Sequence, residues 1–258
     1  MDYQTVIIER RDHIGTITLN RPEALNILNR QLAEEINSAL LELEGDSDVY
    51  VIIIKGAGRA FCAGMDLKEL PGKTVWEYHS QPQLFDQLGI TITTVTKPVI
   101  AQVHGYATAG GCGLVAACDL AVASDDTFFG ATAINVGLFC LEPSAPLSRC
   151  VGRKKSLEML LTGDLIDAQE AYRVGLVNKI VPRDELGQAT MELAENIAAK
   201  SPVAIRIGKQ AFYAMSDMEY RKALSYLSEM MAILSATDDG QEGVTAFLQK
   251  RTPQWKGS

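Results

Sequence analysis

The stretch KPVIAQVHGYATAGGCGLVAACD, residues 97–119, places a short apolar strand directly before a loop rich in Gly and Ala. A largely apolar run of strand length is typical of a strand that is buried on both faces. The same order of strand, glycine-containing loop and helix occurs at residues 51–69, as VIIIKG followed by AGRAFCAGMDLKE. Two similar loops that leave neighbouring parallel strands would converge on one site. This repeat predicts an α/β core with a site beside the two loops.

The segment before the first loop predicts a hairpin followed by a helix. Residues 5–10 and 14–20 flank a polar turn at Asp12, which is the pattern of a β-hairpin. Apolar residues then recur at helical spacing between Asn29, which can cap the first turn, and Gly45, which ends the pattern.

The second half of the chain is predicted to be mainly helical. Helical spacing dominates from about residue 145 onward. In the first half of the chain, residues 71–96 have mixed periodicity and predict a mobile helical segment. We therefore predict a core over residues 1–200 and a C-terminal helical oligomerisation region over residues 201–258, whose final helix, DDGQEGVTAFLQKR, packs on another part of the protein or on another chain.

Composition excludes several classes of partner. The chain has 258 residues, is 47% hydrophobic and carries 24 Lys and Arg against 32 Asp and Glu, a net charge of −8. This balance argues against a nucleic-acid partner and against an anionic membrane surface. The N-terminus has no signal-peptide pattern, and no apolar run reaches the length of a membrane span. Five cysteines in apolar stretches, without disulfide or metal spacing, predict buried free thiols in a cytoplasmic protein: Cys62, Cys112, Cys118, Cys140 and Cys150.

The glycine-rich loop at residues 108–113 fits neither common phosphate-binding pattern. No Gly-Lys-Ser/Thr follows it, and AGGCGL is not the G-x-G-x-x-G of a dinucleotide site. Small residues that let a helix approach a strand explain a single loop of this kind equally well. Two such loops favour a second interpretation, in which backbone N–H groups at two helix starts hold one developing oxyanion. Each such donor contributes roughly 3 kcal/mol in a transition state.

Several segments carry a resemblance that runs from end to end of the chain. NRPEALN, GAGRAFCAGMDLKEL, KPVIAQVHGYATAGGCGLVAACDLAVAS, LLTGDLIDAQEAYRVGLVNKIVP and FLQKR resemble the enoyl-CoA hydratase/isomerase (crotonase) superfamily. NVGLFC and DGQEGVTAFLQKR are similar to a single branch within it. The resemblance implies a crotonase (ClpP-like) right-handed spiral of ββα units followed by a helical trimerisation region. It further implies acyl-CoA substrates, no metal, no permanently bound cofactor beyond the coenzyme A of the substrate, and homotrimers or hexamers built as dimers of trimers.

The resemblance also implies roles for particular residues. The backbone N–H groups of Met65 and Gly110 would form the oxyanion hole that stabilises a thioester enolate, and Gly110 would be small because the thioester lies against it. Lys250 matches a family position that reaches the coenzyme A phosphate in a neighbouring subunit, and a solvated lysine at a helix end is the alternative for it. Lys68 is a weaker candidate for a phosphate contact. The positions that match coenzyme A or acyl contacts of the family, the last two of them in a neighbouring subunit, are Ala63, Asp66, Leu67, Lys68, Phe247 and Lys250.

The chain departs from the hydratases of the superfamily at both of their glutamates. Gly113 stands three residues after Gly110, where one glutamate is expected, and Ala133 stands in FGATA where the second is expected. Neither residue can transfer a proton, so efficient hydration by two facing carboxylates is disfavoured. If the missing carboxylates alone limit hydration, Gly113→Glu combined with Ala133→Glu should raise it.

Other members of the superfamily place their catalytic acid in the loop that corresponds to GLFCLEPSAP. Glu142 is the acidic residue of this loop. In that apolar context it could serve as a base or an acid, and a solvent-facing loop glutamate is the alternative. The sequence therefore indicates a protein that binds an acyl-CoA thioester and stabilises its enolate, with hydratase or isomerase activity. Decarboxylation, thioester hydrolysis and non-catalytic acyl-CoA binding remain open as alternatives.

Overall fold

The computed structural model describes residues 2–69, 72, 74–80 and 82–258, and it contains two β-sheets. The larger sheet has the order β1-β2-β3-β4-β6-β9, and the smaller has the order β5-β7-β8. The first pair of the large sheet is antiparallel and its later pairs are parallel. The strands are β1 (Val6–Arg11), β2 (Ile14–Leu19), β3 (Val51–Gly56), β4 (Val99–Val103), β5 (Tyr106–Thr108), β6 (Leu120–Ser124), β7 (Phe128–Gly130), β8 (Ile166–Asp167) and β9 (Lys179–Val181).

The helices follow the predicted layout, except that a short 3-10 helix, Leu67–Glu69, stands where the sequence repeat predicts a helix after the first glycine loop. Three of them occupy the region after residue 200, while the boundary there and its role in oligomerisation stay predictions. The segment 71–96 is helical where it is described, although part of it lies outside the described residues. None of the described helices is long and apolar enough to cross a membrane. The helices are α1 (Arg30–Gly45), α2 (Val75–Ser80), α3 (Pro82–Thr94), α4 (Gly110–Ala117), α5 (Leu141–Val151), α6 (Arg153–Thr162), α7 (Ala168–Arg173), α8 (Leu186–Ala198), α9 (Pro202–Met215), α10 (Tyr220–Ala236) and α11 (Asp238–Leu248).

The hairpin and the first helix form as their residues predict. Asp12 has φ 54° at the turn between β1 and β2, a left-handed conformation that Asp tolerates in tight turns. The Asn29 side chain accepts a hydrogen bond from the N–H of Leu32 and so caps α1. The apolar stripe of α1, which includes Ile36 and Leu40, is fully buried against the sheet.

The large sheet is covered on both faces, as the apolar runs predict. Ile52 and Ile54 of β3 point into one apolar cluster, while Val51 and Ile53 point into the other. The second cluster is closed by α8, whose Leu186 packs there. Because β3 and β4 are adjacent and parallel, the chain leaves both strands at the same edge of the sheet.

A buried polar cluster fastens α9 to this sheet. Lys209 Nζ lies 2.7 Å from Asp119 Oδ2, and the Tyr213 hydroxyl donates to Asp119 Oδ1 at 2.7 Å. Asp119 Oδ2 also accepts the backbone N–H of Val99 at 2.6 Å. Lys209 donates further to the carbonyls of Ile92 and Lys97. Asp119 thus braces the start of β4, in agreement with a structural role for this residue.

Candidate active site

The loops that follow β3 and β4 converge, as the sequence repeat predicts. The N–H of Cys62 donates to the carbonyl of Tyr106 at 3.1 Å, and the N–H of Thr108 donates to the carbonyl of Cys62 at 3.0 Å. A methyl group placed on Gly110 would lie 3.9 Å from the backbone N of Met65. The two amides that the resemblance singles out are therefore neighbours across the loop contact.

Both of these amides are free to donate. Among the residues that the structure describes, no oxygen accepts the N–H of Met65 or that of Gly110. Gly110 is the first residue of α4, so its N–H belongs to the unpaired set at a helix start. Two unpaired N–H groups that lie close together, one of them at a helix start, can together bind an anion or a carbonyl oxygen.

Ala109 holds a strained conformation immediately before the free amide. Its φ of 47° and ψ of −115° lie in a region that residues with a Cβ rarely adopt. Its own N–H donates to the carbonyl of Gly130 at 2.7 Å, which fixes the turn into α4. Strain of this kind costs about 1–3 kcal/mol and concentrates at functional sites. The sequence alone gave no signal for it, because nothing in the local pattern distinguishes this Ala from its neighbours.

Two glycines of the glycine-rich loop have different surroundings. A Cβ on Gly111 would lie 2.0 Å from the carbonyl oxygen of Cys62, so Gly111 is required for the close approach of α4 to the first loop. Gly110 has more room, since the nearest atom to a Cβ there is Leu28 Cδ1 at 3.2 Å. Close packing therefore explains Gly111, whereas Gly110 has an unpaired N–H and its role in an oxyanion hole stays a prediction.

A cavity of about 1480 Å³ opens beside the two amides. Its walls come from both loops, from α3, α4 and α5, and from the end of α9. Its charged lining residues within the described part of the chain are Asp86, Glu142, Arg149 and Asp217, of which Arg149 and Asp217 pair at 3.4 Å. The predicted site residues that share this cavity are Ala63, Met65, Leu67, Gly110 and Glu142.

Four predicted contact residues lie outside this cavity. Asp66 is buried and its carboxylate lies 3.5 Å from Nη2 of Arg21, a partner that sequence reasoning missed. Lys68 is exposed on the short 3-10 helix Leu67–Glu69. Phe247 is 81% exposed at the end of α11, and Lys250 is exposed just beyond it. The predicted roles of the last two concern a neighbouring subunit, and all four roles stay predictions.

Comparison with known proteins shows to which family the chain belongs. The family model described as enoyl-CoA hydratase/isomerase matches residues 9–258. The chain belongs to the enoyl-CoA hydratase/isomerase family. It is 43% identical over 245 residues to the human protein named enoyl-CoA hydratase domain-containing protein 3, mitochondrial, with 95% of this chain and 81% of that protein covered. NVGLFC and DGQEGVTAFLQKR predicted a resemblance to the branch named enoyl-CoA hydratase domain-containing protein 3, and this prediction is confirmed.

Further similarities support the same conclusion. The chain is 39% identical over 256 residues to a Mycobacterium tuberculosis protein named probable enoyl-CoA hydratase echA8, and 99% of each is covered. The crystal structure of the human domain-containing protein 3 superposes with a TM-score of 0.95 at 42% identity, covering 98% of this chain and 100% of that one. The predicted crotonase fold is therefore confirmed, as an α/β fold with a mixed sheet and a C-terminal helical region.

The positions of the two family glutamates both face the cavity, but one of them has no room for a side chain. Gly113 and Ala133 line the cavity. A Cβ on Gly113 would lie 2.8 Å from Cβ and 3.1 Å from Cα of Pro143. The expectation that Gly113→Glu with Ala133→Glu raises hydration therefore needs correction, because Pro143 occupies the space that the first glutamate requires. Sequence reasoning treated the two positions as empty and could not see which residue fills one of them.

Glu142 lies in the first turn of α5 and lines the cavity. Its side chain is partly buried, and its carboxylate makes no hydrogen bond or ion pair with any residue described in the structure. It is therefore available to exchange a proton with a ligand. Cys140, two residues before it, is 4% exposed, and burial raises the pKa of its thiol. Such a thiol is a poor nucleophile at neutral pH, and its burial agrees with the prediction that Cys140 is a buried free thiol.

The five thiols should differ sharply in reactivity. Burial raises the pKa of Cys62 and that of Cys112 to about 12, and Cys118 and Cys140 are buried as well. Only Cys150 is partly exposed. Burial raises the pKa of Cys150 as well, so we expect a disulfide reagent at neutral pH to modify this thiol slowly in the folded chain, the other four hardly at all, and all five rapidly after unfolding in urea. Rapid modification of three or more thiols in the folded protein would contradict this burial.

Proposed function

We propose that the protein is an enzyme that binds an acyl-CoA thioester and stabilises its enolate with the N–H groups of Met65 and Gly110. The observation that carries the proposal is that both amides are unpaired, adjacent and exposed to the same cavity. A thioester oxygen that accepts both hydrogen bonds gains negative charge when a proton leaves the neighbouring α-carbon. Fixed donors aimed at that charge contribute about 3 kcal/mol each to the transition state.

Glu142 is the proposed proton carrier. Its neighbour Pro143 contacts Gly113, which lies one helical turn from Gly110, so the first turn of α5 lies against the start of α4. Two other described carboxylates line the cavity. Asp217 pairs with Arg149, and Asp86 lies on α3 and not in the turn of α5 that rests on α4. A single carboxylate suits double-bond isomerisation. It removes the α-proton of a 3-enoyl-CoA, leaving a dienolate, and then delivers that proton to the γ-carbon to give the 2-enoyl-CoA.

We infer further that several copies of the chain assemble. The C-terminal helices expose large apolar side chains that solvent disfavours, among them Tyr220, Met231, Val244, Phe247 and Leu248. A second copy of the chain would cover this surface and would bring Phe247 and Lys250 to a neighbour's site, as trimers or as dimers of trimers. Light scattering gives the mass of the particle directly. The five thiols without disulfide spacing support a reducing compartment, either the cytoplasm or the mitochondrial matrix.

A panel of acyl-CoA substrates tests the proposed function. Purified protein is incubated with 2-enoyl-, 3-enoyl-, malonyl- and saturated acyl-CoA, and binding and products are measured for each. We expect all four to bind and 3-enoyl-CoA to be converted to 2-enoyl-CoA, with little hydration of the 2-enoyl thioester. Binding of all four thioesters without product from any would replace the enzyme proposal by a non-catalytic acyl-CoA-binding protein.

Gly110→Ala tests the oxyanion hole directly. The added methyl group would lie 3.9 Å from the N of Met65, in the space proposed for the thioester oxygen, while its closest neighbour is the end of the Leu28 side chain. We therefore expect a folded protein whose kcat is about 10²–10³-fold lower. Gly208→Ala is the matched control, because its new methyl group on α9 meets nothing within 4 Å. Parental turnover by the Gly110 variant would exclude this amide from the mechanism.

A further inference from the structure

Gly113 and Pro143 lie so close together that a residue with a Cβ does not fit at position 113 unless Pro143 moves. A Cβ there would lie 2.8 Å from Cβ, 3.0 Å from Cγ and 3.1 Å from Cα of Pro143. Carbon atoms in normal contact are separated by about 3.5–4.0 Å. A side chain at position 113 would therefore push the first turn of α5 away from α4 by roughly half an ångström or more.

Pro143 cannot relieve this contact by rotating. Its ring is bonded to its own backbone, which fixes φ and leaves no side-chain rotamer that moves the ring aside. The close atoms include its Cα, so the backbone of α5 would have to move. Glu142 is the residue directly before Pro143 in the same turn and would move with it.

We propose that Gly113 is a positioning residue for Glu142. The missing side chain lets the first turn of α5 rest on α4 and so holds the Glu142 carboxylate in the cavity beside Gly110. This inference rests on the proposed function for the role of Glu142, although the packing relation itself does not depend on any activity. It assigns a purpose to a glycine in a helix where alanine would be the better helix former.

The position also limits the reaction that the protein can perform. With Pro143 in the space that a side chain at 113 would need, and with Ala133 in the cavity wall, the two positions at which the resemblance expects glutamates supply no pair of carboxylates to hold a water molecule. Proton transfer then depends on the placement of one carboxylate. An error of about 1 Å in the position of a reacting group lowers a rate by up to 10²-fold.

A double-mutant cycle of Gly113→Ala and Pro143→Gly tests the inference. We expect Gly113→Ala to lower kcat on the converted acyl-CoA by about 10- to 100-fold with KM nearly unchanged. In the Pro143→Gly background, which removes the ring, the same substitution should change kcat less than threefold. Gly187→Ala on α8, whose methyl group meets nothing within 4 Å, is the control for adding a methyl to a helical glycine.

Each result of the cycle decides the inference. Parental kcat in the Gly113 variant overturns it, as does an equal loss of kcat with and without Pro143. If the Gly113 variant does not fold, the comparison is made entirely within the Pro143→Gly background. If the parent converts no acyl-CoA, the proposed function fails separately. The crystal structure of the Gly113 variant then decides the packing relation, and an unmoved Glu142 Cα overturns it.

Discussion

Glu142→Gln should abolish turnover while the affinity for acyl-CoA stays within about twofold of the parent. The substitution preserves shape and hydrogen-bonding capacity but removes the group that can accept and return a proton. General acid–base catalysis by a placed carboxylate contributes about 10²–10⁴-fold, and we expect kcat to fall by that factor. Affinity should persist because the two backbone amides that are proposed to hold the thioester oxygen are untouched. Steady-state kinetics and a direct binding titration measure the two quantities separately.

The control for this prediction is Glu192→Gln. Glu192 lies exposed on α8, on the opposite face of the sheet, and accepts a hydrogen bond from Gln188. Its substitution should leave both kcat and affinity at the parental values. A Glu142 variant that turns over as fast as this control would remove Glu142 from the mechanism.

Lys209→Met should lower the free energy of unfolding by about 3–5 kcal/mol, because it leaves the Asp119 carboxylate charged, buried and without its cation. The two side chains are 7% and 14% exposed, so water cannot replace the lost partner. Burial lowers the pKa of Lys209, whereas Asp119 raises it and so favours the charged ammonium. Urea unfolding followed by circular dichroism gives the difference in free energy.

Two further variants separate the buried charge from the loss of a lysine in general. Lys256→Met breaks an exposed pair with Asp238, whose side chains are 70% and 61% exposed, and should change stability by less than about 1 kcal/mol. Asp119→Asn combined with Lys209→Met removes both charges and should recover part of the loss. If Lys209→Met is no more destabilising than Lys256→Met, the cluster does not fasten α9 to the sheet.

Much of the fold could be predicted from the sequence because its signals are local. Apolar runs of strand length identified β3 and β4, and an Asn at a helix start followed by apolar residues at helical spacing identified α1. The repeated glycine loop also predicted that the segments carrying Met65 and Gly110 meet, which the structure confirms. The position of a backbone N–H donor at the end of a loop depends on where the chain turns. The sequence therefore predicts the approximate position of such a donor.

The remaining features depend on residues that approach only after folding. Pro143 fills the space at Gly113, and Lys209 reaches Asp119 across 90 residues of chain. Neither contact leaves a periodic or compositional mark on the sequence. The predicted roles of Phe247 and Lys250 in a neighbouring subunit are of the same kind, since a single chain cannot complete them. Sequence patterns predict which elements exist, whereas the space between elements is decided by packing.

The end of α9 forms one wall of the cavity through Phe212, Tyr213 and Met215. Without that wall, the cavity that holds the amides of Met65 and Gly110 would be more open to water. The attraction between a fixed dipole and a developing charge falls steeply as the local dielectric rises. Under the proposed function, a helix from the C-terminal region would therefore influence how strongly two amides of the sheet region act on an anion, and the attachment of that helix would affect catalytic strength.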